Sequence, residues 1–118
     1  MHNDCTVFKT TDFIGKKWTL LILFELYKGR DVKRYGELKK ALLNITPKIL
    51  SVRLKELESQ GLINKQIDTK EFPVKTFYSL TESGKDFFRV ILEIKKWGLK
   101  WKIRNDACSK LNCKYCSL

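Results

Sequence analysis

Histidine is almost missing from this chain: among 118 residues the only one is His2, beside the amino end. Also absent are H-E-x-x-H, P-loop, glycine-rich dinucleotide and G-x-S-x-G patterns, so no placed acid, base or nucleophile emerges and no enzyme is expected. Long apolar runs are missing as well. The most apolar stretch, WTLLILF at 18–24, stops at Glu25, far short of the roughly 20 residues that span a bilayer. The amino end, MHNDCTVFKTTD, is polar and unlike a secretory leader, so the chain is expected to be cytoplasmic with no membrane partner. No repeat and no linker rich in Gly, Pro or Ser divides it, and a length of 118 residues gives one domain with a modest core.

Negative charge is scarce too. Lys and Arg number 24 against 13 acidic residues, a formal charge of +11, which attracts polyanions: nucleic acid first, an anionic membrane surface second. The membrane surface is disfavoured because the basic residues are spread along the chain and not gathered on one long amphipathic helix.

Hydrophobic periodicity orders what remains. Short helices are expected from Val7 to about Ile14 and, after a break at Gly15, from about Lys17 to Tyr27; the second is apolar almost all round and belongs in the centre of the domain. Gly29 and the charged RDVKR end it, and YGELKKALL at 35–43 forms a shorter helix. TPKILSVRLKELESQGL at 46–62 then carries a full set of helix signals. Thr46 is the N-cap, Pro47 stands at N1 where a missing N–H costs nothing, Leu50, Leu54 and Leu57 form an inward stripe, and Gly61 stops the helix. LINKQID at 62–68 and VKTFYSL at 74–80 alternate as two strands, and TKEFP between them is too long for a tight turn, so a projecting loop is expected. Thr81 caps a last helix running through FFRVILEIKKWGLKWKI, which Gly98 would weaken or bend.

This order, helices, a capped basic helix and a hairpin, describes a mainly α chain with a small β-hairpin, a winged helix-turn-helix in which residues 46–60 enter the major groove. The expected division is a DNA-binding and dimerisation domain over 1–104 and a cysteine-containing tail over 105–118. Candidate DNA contacts are Arg34, Pro47, Lys48, Ser51, Val52, Arg53, Lys55, Lys70 and Lys75. Lys48 and Ser51, nearest the helix start, are assigned to base edges, and Arg34, Lys70 and Lys75 to phosphates. The competing reading is a solvated basic face, or a winged-helix nucleic-acid-binding or architectural protein with no sensing role.

Several strings in order make the chain resemble the HxlR-type family of bacterial and archaeal winged-helix transcriptional regulators: CTV from Cys5, IGKKW at 14–18 followed by LLILFEL, RYGEL at 34–38, ITPKIL at 45–50 with LKELE at 54–58, GLI at 61–63, and FYSLTESG at 77–84. The resemblance implies a homodimer that binds a partly palindromic double-stranded DNA operator through two copies of the helix at 46–60, its first and last helices supplying much of the dimer contact. The family usually has two glycines before the lysine and tryptophan, whereas here Gly15 is followed by Lys16. The tail from Lys100 onward is not a general family feature.

Four cysteines remain. Cys5 stands where electrophile- or oxidant-sensing members of the family are similar to this chain in carrying a cysteine, and it is the candidate redox sensor; the alternative is a small terminal hydrophobe. Cys108, Cys113 and Cys116 have the spacing C-x4-C-x2-C, and the x2 pair suits one tetrahedral ion, zinc or iron. Three ligands are one short, with Cys5, His2 or a partner thiol left to complete the site. A disulfide between Cys113 and Cys116, or a frayed tail with reduced thiols, are the other readings.

Overall fold

Cap and turn residues set where the helices begin and end in the computed structural model, which describes residues 3–117. Helix α1 spans Thr6–Ile14, α2 Thr19–Tyr27, α3 Tyr35–Ala41 and α4 Pro47–Ser59; strands β1, β2 and β3 span Val32–Arg34, Ile63–Asp68 and Lys75–Leu80. Helices α5, Glu82–Asp86, α6, Phe88–Trp101, and α7, Asp106–Lys110, follow, with a 3-10 turn at Cys113–Tyr115. This is the expected winged helix-turn-helix, mostly helical with a small antiparallel sheet of order β1-β3-β2. No helix among the described residues is long and apolar enough to cross a membrane.

Helix α4 forms as its local signals dictate. The Thr46 hydroxyl accepts the Ile49 N–H at 3.2 Å, and Pro47 opens the first turn. At the other end Gly61 takes φ +79°, a left-handed conformation that costs a glycine nothing. Its N–H donates to Glu58 O and the Leu62 N–H donates to Leu57 O, both at 3.0 Å, the paired bonds of a Schellman stop. The stripe Leu50, Leu54 and Leu57 is buried, so the opposite side of α4 is presented outward.

That stripe meets α2, which also touches α1, α3, α6 and β3. Ile22, Leu23 and Leu26 on α2 join Leu38, Ile45 and Leu50 in having almost no solvent exposure. Each such side chain contributes about 1.5–3 kcal/mol of burial free energy, so this centre stabilises every element leading to α4.

Four local details differ from expectation. Helix α2 starts at Thr19, because Trp18 is left-handed at φ +82°, an unusual conformation for a bulky residue. RDVKR does more than end α2: Val32–Arg34 becomes a third strand, with Arg34 opposite Phe77 of β3. The long last helix is divided at Phe87 into α5 and α6, and α6 runs through Gly98, whose carbonyl accepts from Lys102 N at 2.9 Å and Ile103 N at 2.8 Å. The tail also folds back onto α2: Gly29 N donates to Lys114 O at 2.7 Å, and the Lys114 ammonium donates to Tyr27 O at 3.0 Å.

Gly84 and Gly98 give opposite expectations for alanine. A Cβ on Gly84 would lie 2.1 Å from the Leu62 carbonyl oxygen, whereas one on Gly98 meets nothing within 4 Å. Gly84→Ala should destabilise the chain by about 1–3 kcal/mol, and Gly98→Ala should stabilise it by about 0.5–1 kcal/mol, read from urea unfolding midpoints. Equal effects of one sign would contradict this packing.

Candidate nucleic-acid interface

The interface is built where α3, α4 and the β2–β3 hairpin meet. Between α3 and α4, Leu42 and Ile45 turn inward to the core while Asn44 takes φ +73°, compact enough to set the two helices in helix-turn-helix order. Tyr35, the first residue of α3, donates its hydroxyl to Pro47 O at 3.1 Å and lies 3.4 Å from Ser51 Oγ. It fixes the first turn of α4 relative to α3. The helix pattern at 35–43 carries no sign of this contact, whose partners lie twelve and sixteen residues away.

Lys48, Ser51, Val52 and Lys55 are exposed along α4, and Pro47 is exposed at its start. Arg34 ends β1 beside the hairpin, its guanidinium 5.7 Å from the centre of the Phe77 ring, so a long cation is steadied at the joint between helix-turn-helix and wing. Lys70 is exposed in the hairpin loop, where the Asp68 carboxylate accepts its backbone N–H at 3.0 Å. Lys75 begins β3 and pairs with Glu71 at 3.2 Å. The loop tip also exposes Phe72 almost fully, a residue the sequence reading did not single out.

Arg53 is placed differently from its neighbours. Its Nε donates to Lys17 O at 3.1 Å and its Nη1 pairs with Glu56 at 2.7 Å, while Lys16 pairs with the other oxygen of Glu56 at 2.8 Å. Three side chains therefore clamp α4 to the turn between α1 and α2. The Lys16 ammonium beside Glu56 holds that carboxyl below the usual carboxylate range, and Arg53 adds to the effect. No periodicity could have found this clamp, since its partners are about 40 positions apart.

Cys5 is the N-cap of α1, partly exposed, with its carbonyl accepting the Lys9 N–H at 3.0 Å. Its thiol makes no cap hydrogen bond to the first turn. The Lys9 ammonium, by contrast, pairs with Asp4 at 3.7 Å.

The tail cysteines require a correction. Cys108, Cys113 and Cys116 were expected as ligands of zinc or iron, but among the described residues no three His, Cys, Asp or Glu side chains gather as a metal ion needs. The physical reason is visible at Cys113: it is buried, and its sulfur accepts from the Lys95 ammonium at 3.3 Å, a cation where a metal would have to sit. His2, considered as a fourth ligand, lies outside the described residues.

Comparison with known proteins agrees with this geometry. Residues 13–106 match the HxlR-like helix-turn-helix family. The chain is 42% identical over 102 residues to the uncharacterized HTH-type transcriptional regulator YdeP of Bacillus subtilis, covering 86% of this chain and 77% of YdeP. Among solved structures it is similar to the reduced form of the transcriptional regulator YodB from B. subtilis, at 33% identity and TM-score 0.71, covering 86% of this chain and 98% of YodB. It is also similar to the redox regulator HypR in its oxidized form, at 32% identity and TM-score 0.72, covering 84% of this chain and 99% of HypR.

The clamp makes a pH expectation. Because the folded chain holds Glu56 more acidic than the unfolded chain does, the unfolded state binds more protons as acid is added. The stabilisation is complete above the ordinary carboxylate range and is lost as pH falls through the lower folded value. Glu56→Gln should therefore lower stability at neutral pH and flatten its acid-side decline, measured by urea unfolding from pH 7 down to pH 3; an unchanged decline would remove Glu56 from that role.

Proposed function

The chain belongs to the HxlR-like helix-turn-helix family, DNA-binding transcriptional regulators with no catalytic role, and from that premise we propose a homodimer that reads a two-fold related operator in double-stranded DNA and responds through thiol chemistry at Cys5. One observation carries the reading: α4 is capped, held from behind by its leucine stripe and the Arg53–Glu56–Lys16 clamp, and presents Lys48, Ser51, Val52 and Lys55 outward beside a wing. Such a helix enters the major groove by its first turns. Lys48, Ser51, Pro47 and Val52 face base edges, and Lys55 flanks them. Arg34, Lys70 and Lys75 take phosphates, and Arg53 acts from behind by holding the helix at its angle.

The dimer is supported by apolar surface that one copy leaves uncovered. Trp97 and Trp101 on α6 are 57% and 63% exposed, and Val7 on α1 is 65% exposed. A monomer seldom keeps such a surface in water, and two copies reading one duplex face would set their α4 helices about 34 Å apart. The chain works in the reducing cytoplasm, where Cys5 stays a thiol until an oxidant or electrophile arrives. Similarity to HypR, named as a redox regulator, supports this assignment.

Selection of bound duplexes from a random pool by the reduced protein should recover a two-fold related motif. Lys70→Ala should then weaken operator and random DNA together and reduce the salt slope by about one phosphate's worth of released ions. Ser51→Ala should cost the operator about threefold or more, one net hydrogen bond, with the slope unchanged. No enrichment over random sequence would favour the architectural reading.

Quinone or diamide treatment should lower affinity for that operator, and Cys5→Ser should abolish the response while retaining DNA binding, as seen by fluorescence anisotropy. An intact response in Cys5→Ser would exclude Cys5 as the sensor.

A further inference from the structure

A cavity of about 500 Å³ lies between α2, α6 and the tail, within the range of small-ligand pockets. Leu20, Phe24 and Ile91 give it apolar walls, and Cys108, Leu111 and Cys113 complete it from the tail. Those tail residues lie beyond the span 13–106 that matches the family. This chain therefore builds part of the wall from its own addition.

The charged side chains that line the cavity are all cationic, although Lys28 is paired with Glu25 at 3.1 Å and Lys16 with Glu56 at 2.8 Å just outside it. Lys16, Lys17, Lys28 and Lys95 line it, and none of its described lining residues is acidic. Lys95 is the informative one. Its ammonium donates to Leu111 O at 3.2 Å and to Cys113 Sγ at 3.3 Å, and no carboxylate of the described residues is paired with it. A carbonyl and a thiol take two of its three N–H donors and leave the third for a ligand.

The rim is also wired to the DNA-reading helix. Lys16, Lys17 and Trp18 line the cavity, and the same turn is held by Glu56 through Lys16 at 2.8 Å and by Arg53 through Lys17 O at 3.1 Å. Trp18 occupies this turn at φ +82°, so the segment is strained and kept in place by its contacts.

We propose that this cavity binds an amphipathic monocarboxylate, its apolar body between α2 and α6 and its carboxylate among the lysines, and that its occupancy is read at α4 through the turn at Lys16–Trp18. A carboxylate at the rim competes with Glu56 for Lys16, which loosens one arm of the clamp and shifts α4 away from its DNA-reading position. The link to DNA rests on the operator-binding reading; occupancy of the cavity does not.

Decanoate, decylammonium and decanol, each below its aggregation limit, separate charge from apolar fit. In calorimetric titration of the full chain without DNA, decanoate should bind once per chain and about tenfold more tightly than either of the others, the difference of one charge-assisted contact. Lys95→Met should lose about that factor and Lys95→Arg should retain binding. On the unmodified chain, decanoate should slow alkylation of Cys108 and Cys113, mapped by peptide mass, and leave Cys5 unaffected. Equal affinity for the three head groups, or no protection of the tail thiols, would overturn the site. Binding that appears only in a dimer-breaking Trp97→Glu chain would assign the cavity to a second copy and overturn it as well. With a confirmed operator, decanoate should weaken DNA binding, and the operator should weaken decanoate binding by the same factor. Lys16→Met should weaken decanoate binding less than Lys95→Met does and should lose that coupling. Decanoate binding with no operator found would leave the ligand site standing and the DNA reading refuted; decanoate binding with an unaffected operator would refute the coupling.

Discussion

Everything in this fold depends on α4 being buried on one side and left uncovered on the other. Leu50, Leu54 and Leu57 insert into the centre formed by α2 and α3, and that burial decides which residues remain outside. Burial alone leaves the helix free to roll slightly about its stripe. The salt-bridged set of Lys16, Glu56 and Arg53 removes that freedom at one flank, and Tyr35 removes it at the first turn. Orientation thus comes from polar contacts, while stability comes from leucines.

A positive charge of +11 is a poor guide to which cations act on a partner. Arg53 sits on α4 between Lys48 and Lys55, yet its guanidinium is committed to Lys17 O and Glu56. Lys114 is likewise committed to Tyr27 O and Asp31. Lys48 and Lys55 remain exposed on α4, so their charge is displayed to solvent. Exposed ion pairs are individually weak, and what Glu56 gains by holding two cations is mainly geometry.

Local chemistry explains which parts were readable from sequence. The start and stop of α4 need only Thr46, Pro47 and Gly61, all within or beside the helix, and the two hairpin strands announce themselves by alternation. Strand β1 does not, because Val32–Arg34 is three residues long and owes its existence to pairing with β3, far along the chain. The clamp and the Tyr35 contact were hidden for the same reason. In the tail, the x2 spacing of Cys113 and Cys116 was legible, but spacing says nothing of the ammonium of Lys95 at the Cys113 sulfur. That one distant cation turns a metal motif into part of an apolar wall.

Helix α6 shows how a small domain serves two demands at once. Ile91 and Lys95 line the cavity shared with α2, while Trp97 and Trp101 stand largely in solvent. Neither surface can be satisfied by the core alone, because α6 contains no fully buried residue. The tail covers part of one surface by anchoring Lys114 to the end of α2, and it leaves the tryptophans open. A helix so placed meets the core only along one edge, through Ile91 and the Phe87 before it. Since α2 packs against both α6 and α4, one helix stands between the cavity beside α6 and the outward face of α4.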